Sequence, residues 1–374
     1  MACKCKDIFS VSEKKSKIHF ITQITELIIK SSNLMKTLGF ETSKIEGIIT
    51  IENENPKLFF EENFDFFNTN FNDLEKDEIK IFIENEDNQL SLGTIFFAKS
   101  LNRYLHFIED RNFFDIIENS SLTAHFQPIV DMKTNQIFAY EALTRGVLPN
   151  GELMYPDVLF SKSARNDMNF TLDRMCRETA LKTTAVKKID AKVFINFIPT
   201  SIYDPEFCLA STVKWAKQLD FDPKNIVFEV VETQNVKDKE HLKTILNFYR
   251  NKGFLIALDD VGEGYSSLNM IIDIKPDIIK VDRNIIENID TDTMKQSIYK
   301  ALRTICIENS IKLLAEGVET PYELEKVKEI GVDYAQGYYF AKPMKKDILE
   351  DFLEINQNYK ECSNEDLLIK PVFI

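Results

Sequence analysis

The chain has 374 residues, 44% of them hydrophobic, and a formal net charge of −14 at pH 7, which indicates a globular protein of about two domains. The acidic balance argues against binding a nucleic acid polymer, because phosphate backbones are bound by basic surfaces. The first residues lack the apolar core of a signal peptide, and no apolar run reaches the roughly 18 residues of a membrane span, so we expect a cytoplasmic protein without a membrane span.

The first part of the chain is predicted to form a small α+β domain over residues 1–119. Apolar residues recur at helical spacing over residues 21–38, and Gly39 follows as a stop signal. Residues 45–52 and 78–84 have the composition of strands, and the phenylalanine-rich stretch between them is interpreted as core. Since no chemically active set of residues occurs here, we predict a regulatory or dimerisation domain that responds to an unidentified signal.

The six cysteines are expected to be reduced thiols, because the chain is long and shows no secretion signal. Cys3 and Cys5 form a Cys-x-Cys pair, but no second pair or nearby histidine completes a tetrahedral zinc site. The sequence therefore assigns these two cysteines no role.

From residue 120 the chain repeats one pattern, in which a short apolar run ends in a polar residue and a helical stretch follows. These polar residues recur about every 20 to 35 positions, which is typical of β/α units. We predict an α/β fold with a TIM-type (β/α)8 barrel over residues 120–355 and a C-terminal tail over 356–374. An open Rossmann-type sheet is the alternative, but no Gly-x-Gly-x-x-Gly motif is present. The polar residues at the run ends are Asn196, Glu229, Asp259, Lys280, Asp282, Glu316 and Gln336.

The strongest chemical signal is the pair Asp259 and Asp260, which ends the apolar run 254–258 and precedes Gly262 and Gly264. Two adjacent carboxylates beside a core repel each other unless a cation lies between them, so the pair predicts a metal site. The alternative is a turn with solvated aspartates. The polar residues at the other strand ends favour the metal site.

The candidate ligands are oxygen donors without a cysteine or histidine, which selects Mg²⁺ or Mn²⁺ over zinc. A two-metal site of this kind stabilises an in-line phosphoryl displacement, and Lys280 at a neighbouring strand end could orient the attacking water. The alternative role for Lys280 is a structural salt bridge. The candidate donors are Glu141, Asn196, Glu229, Asp259, Asp260 and Glu316.

The stretch Glu141-Ala142-Leu143-Thr144-Arg145 resembles the signature of the EAL-domain family of cyclic di-GMP phosphodiesterases. The similarity continues in order over roughly residues 120 to 355. Further matches are Phe126-Gln127-Pro128-Ile129, Asn196, Glu229 and Glu232 in Glu-Val-Val-Glu-Thr, Asp259 and Asp260, Lys280 and Asp282, Ala-Glu-Gly-Val-Glu-Thr at 315–320, and Gln336-Gly337-Tyr338 before Lys342-Pro343.

The resemblance implies a modified TIM-type barrel that hydrolyses cyclic di-GMP to linear pGpG with two Mg²⁺ or Mn²⁺ ions. It implies that one ion is held by Glu141, Asn196, Glu229 and Asp259, and the other by Asp259, Asp260 and Glu316. The implied catalytic residues are Lys280, which acts on the water, with Glu316, Asp282 and Gln336. The implied substrate contacts are Gln127 to a base, Leu143, and Arg145 to a phosphate. The residues implied to support the loop after the aspartate pair are Glu232 and Glu319.

The chain departs from the family pattern in that loop, where the family usually reads Asp-Asp-Phe-Gly-Thr-Gly. Here Val261 replaces the aromatic residue and Glu263 adds a negative charge, and their effect on the loop and on dimer coupling is open. We expect a homodimer. The alternative function is a catalytically silent EAL-type receptor that binds cyclic di-GMP and signals through its N-terminal domain. Because silent members have usually lost metal ligands and this chain keeps them, the enzyme is favoured.

Overall fold

The computed structural model divides the chain into two compact units. The N-terminal unit comprises Met1–Asn119 with Ser161–Met168, and the barrel unit comprises Ser120–Phe160 with Asn169–Ile374. Among the described residues, no helix is long and apolar enough to cross a membrane. The residues that the structure describes are 11–86, 88–91, 93–199, 202, 204–218, 222–231, 239–262, 267–345, 347 and 349.

The N-terminal unit is an α+β fold with a five-stranded antiparallel sheet in the order β2-β3-β1-β4-β5. Its strands are β1 (Ser16–Ile21), β2 (Ser43–Ile45), β3 (Ile48–Asn53), β4 (Lys80–Glu84) and β5 (Lys99–Ser100). Its helices are α1 (Thr25–Thr37), α2 (Pro56–Glu62), α3 (Phe64–Asn70), α4 (Asp73–Glu78), α5 (Leu101–Glu109) and α6 (Arg111–Glu118), with a 3₁₀ turn at Ile95–Phe97.

Two local predictions in this unit need adjustment. The predicted helix over 21–38 begins later, at Thr25, because Ile21 ends the central strand β1. The predicted strand over 45–52 is a hairpin, in which Glu46 and Gly47 both have positive φ, of 41° and 85°, as a tight two-residue turn requires. The phenylalanine-rich stretch is core as predicted, since Phe60 and Phe67 are fully buried.

The barrel unit closes eight strands into a ring in the order β6-β14-β13-β12-β11-β10-β9-β7, and β7 pairs again with β6. The predicted barrel is thereby confirmed. The ring strands are β6 (Leu122–Asp131), β7 (Ile137–Val147), β9 (Lys192–Asn196), β10 (Ile226–Val231), β11 (Leu255–Val261), β12 (Ile278–Val281), β13 (Lys312–Ala315) and β14 (Tyr334–Ala335), and β8 (Leu153–Met154) extends β7 as a hairpin.

One strand runs against the others, which is the modification of the regular barrel. β6 is antiparallel to both β7 and β14, whereas the other neighbours in the ring are parallel. Only five residues separate β6 from β7, and so short a connection can join antiparallel but not parallel strands. The remaining strands are joined through helices, which permits the parallel arrangement.

Helices of this part of the chain, among them Asn169–Val186 and Lys239–Asn251, pack against the ring. Apolar residues fill the space between strands and helices, among them Tyr249, Phe228 and Tyr299, all with no exposed surface. The helices are α7 (Pro156–Arg165), α8 (Asn169–Val186), α9 (Pro205–Cys208), α10 (Ala210–Gln218), α11 (Lys239–Asn251), α12 (Ser267–Ile274), α13 (Arg283–Ile286), α14 (Thr293–Glu308) and α15 (Pro321–Ile330), with a 3₁₀ turn at Pro223–Asn225.

Candidate functional site

The inside of the barrel is built in layers. Side chains two positions apart on a strand face the same side. In each parallel strand, the residue two positions after an interior apolar residue therefore also points inward. In the antiparallel β6, the corresponding residue lies two positions before the apolar one. Each ring strand gives one apolar side chain to an interior cluster, namely Ile129, Ala139, Phe194, Val227, Ala257, Ile278, Leu314 and Tyr334. The next layer toward the carboxyl ends, here called the polar layer, is Gln127, Glu141, Asn196, Glu229, Asp259, Lys280, Glu316 and Gln336.

Lys280 lies at the centre of the polar layer. Its Nζ lies 2.8 Å from Asp259 Oδ1 and 2.8 Å from Glu316 Oε1, contacts Glu229 Oε1, and is 4.0 Å from Glu141 Oε1. Only 1% of the side chain is exposed. Burial opposes the ammonium charge, but the surrounding carboxylates outweigh burial and raise the pKa of Lys280 well above its ordinary value.

Two amide side chains donate to the carboxylates of this layer, and a third, Gln127, accepts from one of these amides. Asn196 Nδ2 donates to Glu229 Oε2 at 3.0 Å and to Glu141 Oε1 at 3.3 Å. Gln336 Nε2 donates to Glu141 Oε2 at 2.6 Å and to Gln127 Oε1 at 3.0 Å, and Gln127 Nε2 donates to a main-chain carbonyl at 3.1 Å. Coordination of a cation by Asn196 requires its amide to turn so that Oδ1 faces the carboxylates.

The aspartate pair is directed into the site by a distortion of β11. Successive strand residues normally point to opposite faces, so both aspartates could not face inward from a regular strand. The register with β12 shifts between Leu258 and Val261, and Asp260 has a φ of +55°, in the left-handed region. Carboxylate oxygens of Asp259, Asp260 and Glu316 consequently come within 4.8 Å of one another.

The donor set fits a hard divalent cation. Burial raises the pKa of Glu229 and of Glu316 well above the usual range; nearby carboxylates add to this rise and Lys280 opposes it. The site thus disfavours the ionised forms of carboxylates that outnumber the single Lys280 ammonium. A bound cation would compensate their charge, and oxygen ligands of this type suit Mg²⁺ or Mn²⁺. Asp259, Asp260 and Glu316 lie close enough together to hold one such ion, and the other predicted ligands stay predictions.

Comparison with known proteins decides the family. The model of the EAL domain matches residues 110–343, more than half of the chain. The chain belongs to the EAL-domain family. A curated relative from Escherichia coli strain K12, named "Probable cyclic di-GMP phosphodiesterase PdeG", is 28% identical over 235 residues, which cover 61% of this chain and 46% of the relative. The chain thus spans less than half of that protein.

Solved EAL structures share the fold. A standalone EAL protein from Vibrio cholerae O395, in a form with bound c-di-GMP, is 42% identical with a TM-score of 0.55, and the match covers 60% of this chain and 92% of that one. An EAL-domain protein from Listeria monocytogenes EGD-e is 27% identical with a TM-score of 0.58, and the match covers 67% of this chain and 98% of that one.

The EAL signature lies on β7, where Glu141 faces the polar layer and Leu143 lines a neighbouring cavity. Arg145, further along the strand, is 6% exposed, and its guanidinium lies 5.1 Å from the ring centroid of Tyr155. Its Nη1 donates to the Thr144 carbonyl at 2.9 Å. The phosphate contact expected of Arg145 stays a prediction, as does the base contact of Gln127.

The remaining predicted residues lie outside the polar layer. Asp282 caps α13, and its Oδ1 accepts a hydrogen bond from the Asn284 N–H at 2.9 Å. Glu319 lies 3.0 Å from Arg283, and Val261 is buried. The predictions for Glu232, Glu263, Cys3, Cys5 and the tail 356–374 lie outside the described residues.

A cavity of about 370 Å³ opens beside the EAL signature, and the sequence did not indicate it. Apolar side chains form most of its lining, including Pro156 and Phe160 of α7. The charged lining residue is Asp173 of α8, 2% exposed, whose Oδ2 accepts a hydrogen bond from Arg177 Nη2 at 2.7 Å. Asp173 was missed because it lies in mid-helix, where the one available signal was its i,i+4 spacing from Arg177.

Proposed function

We propose that this EAL domain hydrolyses cyclic di-GMP to linear pGpG with two bound Mg²⁺ or Mn²⁺ ions. The observation that carries the proposal is the polar layer, in which Glu141, Glu229, Asp259 and Glu316 converge on Lys280. A phosphodiester anion can approach an acidic layer of this kind only when cations are bound there. The names of the E. coli relative and of the V. cholerae structure support the choice of substrate.

The positions of the carboxylates support one ligand set for each proposed ion. Asp259, Asp260 and Glu316 would hold one ion, while Glu141, Asn196 and Glu229 with Asp259 would hold the other. When bound, such ions polarise the phosphoryl oxygens and lower the pKa of water. Gln336 fixes the Glu141 carboxylate through its 2.6 Å hydrogen bond, so its role is to set the direction of that ligand.

Lys280 is proposed to hold the attacking water and to balance the negative charge that develops on the phosphoryl group. Its Nζ contacts the carboxylates of Glu229, Asp259 and Glu316, which fixes the position of the ammonium before substrate binds. Ions bound to these carboxylates would replace some of the contacts and leave an N–H donor for the water. A preorganised donor of this kind acts without reorganisation at the moment of reaction.

The cavity beside the EAL signature is proposed to receive one guanine base of the substrate. A volume of about 370 Å³ lies within the range of small-molecule sites, and its apolar lining suits a planar ring. Asp173 is a hydrogen-bond acceptor within this lining, which suits the N–H donors on the guanine edge. Arg145, on the strand β7 that carries the EAL signature, would contact a phosphate.

Dimerisation is proposed to use helix α12. Leu268 and Ile272 lie four residues apart, on one face of this helix, and are 59% and 68% exposed. The helix begins just after the segment that follows Asp260, so a partner on this face could influence the aspartate pair. The N-terminal unit is proposed to regulate the barrel in a cytoplasmic signalling protein, since the described polar layer lies entirely in the barrel unit.

The test is chromatography of products formed from cyclic di-GMP by the purified protein with Mg²⁺, with Mn²⁺, or with EDTA. Linear pGpG should form only with added metal. The variant Asp260→Asn should lose most of the activity, because it weakens a ligand, whereas the exposed carboxylate variant Glu308→Gln should keep it. Binding of cyclic di-GMP without any linear product would instead support the receptor.

A further inference from the structure

Arg283 braces the segment that carries Glu316. This arginine begins α13, three residues after Lys280, and its Nη1 donates to the main-chain carbonyl of Gly317. Its Nη2 lies 3.0 Å from Glu319 Oε2. One side chain at the start of α13 thus holds two residues of the segment that follows β13.

The aliphatic part of the Arg283 side chain packs closely against the main chain of Gly317. Gly317 has a φ of +66°, and a Cβ built on it would lie 2.7 Å from the Cβ of Arg283. The arginine stem therefore lies directly against the Gly317 backbone, which only a glycine permits at this φ and distance.

The main chain also holds this segment, on the β14 side through Val318 and on the β12 side through Glu316. Val318 N donates to the carbonyl of Gln336 at 3.0 Å, and Glu316 N donates to the carbonyl of Val281 at 3.0 Å. The contacts of Arg283 add to these two bonds in restraining the peptide after Glu316. The direction of the Glu316 side chain, which meets Lys280, Asp259 and Asp260, depends on that peptide.

We propose that Arg283 is a positioning residue for Glu316, so that its guanidinium sets the affinity of the ion held by Glu316 and the aspartate pair. The proposal rests on the proposed function, because that function supplies the metal ion. Arg283 itself lies outside the polar layer and contacts none of the proposed metal ligands directly. Since 36% of the Arg283 side chain is exposed, its substitution should leave the barrel folded.

The test uses Arg283→Met, which keeps the stem against Gly317 and removes the guanidinium, and Arg283→Lys, which keeps the charge. The matched control is Arg250→Met. Arg250 Nη2 also donates to main-chain carbonyls, those of Ile274 at 2.6 Å and Lys275 at 2.8 Å, but near the amino end of β12. Mn²⁺ affinity is measured by calorimetry on the full chain, together with turnover of cyclic di-GMP and the melting temperature.

We expect Mn²⁺ affinity to fall about tenfold or more in Arg283→Met, on the scale known for residues that orient metal ligands. Arg283→Lys should recover part of the loss, and Arg250→Met should bind Mn²⁺ as the wild type does. Equal Mn²⁺ affinity in Arg283→Met and wild type, or an equal loss in the control, would overturn the positioning role. Normal Mn²⁺ binding by the wild type without hydrolysis would overturn only the proposed function, and no Mn²⁺ binding would overturn both.

Discussion

Replacing Lys280 with methionine should separate the charge balance of the site from its chemistry. Methionine fills a similar space but carries no charge, so the buried carboxylates that now face the ammonium at 2.8 Å lose their compensation. Breaking a buried ion pair by removing one partner costs about 3 to 5 kcal/mol. At roughly 2 to 4 °C per kcal/mol for a unit of this size, the metal-free variant should melt about 6 to 20 °C below the wild type.

The same change should strengthen metal binding while slowing the reaction. Without the ammonium, the carboxylates of Glu229, Asp259 and Glu316 are free to bind cations, so Mn²⁺ should raise the melting temperature of Lys280→Met more than that of the wild type. The attacking water nevertheless loses its donor, and turnover of cyclic di-GMP should fall about 10²-fold. Affinity for cyclic di-GMP, measured with Ca²⁺, should change far less than the rate.

The assay is differential scanning calorimetry with and without Mn²⁺, combined with product chromatography at saturating substrate. Lys312→Met is the control, because this lysine also pairs with a carboxylate, Asp333 at 2.8 Å, but is 54% exposed, and exposed pairs contribute about 1 kcal/mol or less. If saturating Mn²⁺ restored wild-type turnover to Lys280→Met, Lys280 would be a structural ion-pair partner and the reasoning would be wrong.

Three further outcomes are expected. Glu141→Ala should weaken Mn²⁺ binding and turnover together, as calorimetry and product analysis would show, whereas loss of turnover alone would remove Glu141 from the ligand set. Gly317→Ala should lower the free energy of unfolding by about 1 to 3 kcal/mol in urea titration, because φ is +66° and the new Cβ would meet Arg283 at 2.7 Å; an unchanged midpoint would refute that close fit. Burial opposes the charge of Asp333, but hydrogen bonds from Lys312, a backbone N–H and Arg303 outweigh burial and lower its folded pKa. This carboxylate therefore stabilises the folded state above its unfolded pKa of about 3.9. That stability is lost as pH falls through the lower folded pKa. The loss of unfolding free energy in Asp333→Asn at pH 7 should therefore shrink in urea titrations at pH 3.

The sequence by itself determined which polar side chains face the inside of the barrel from regular strand positions, because strand periodicity is local. A polar residue two positions beyond an interior apolar residue must face the same side, and this places Glu229 above Val227 and Lys280 above Ile278 without knowledge of the rest of the chain. The order of these runs and their spacing were enough to predict a barrel. The short connection between two apolar runs also carries the signal for the antiparallel β6.

Only the tertiary structure decided how the side chains meet. Closure of the ring brings Glu141, Glu229, Asp259 and Glu316 around Lys280, although these residues are far apart in sequence. Both aspartates turn inward because the register of β11 shifts against β12. Such a shift is a property of two paired strands, so the residue pattern of β11 alone does not predict it. The cavity with Asp173, the brace of Arg283 and the placement of Ser161–Met168 with the N-terminal unit are likewise contacts between distant segments. Local patterns set the face of the strand on which a residue lies, but the distances between side chains of different strands follow from the closure of the whole ring.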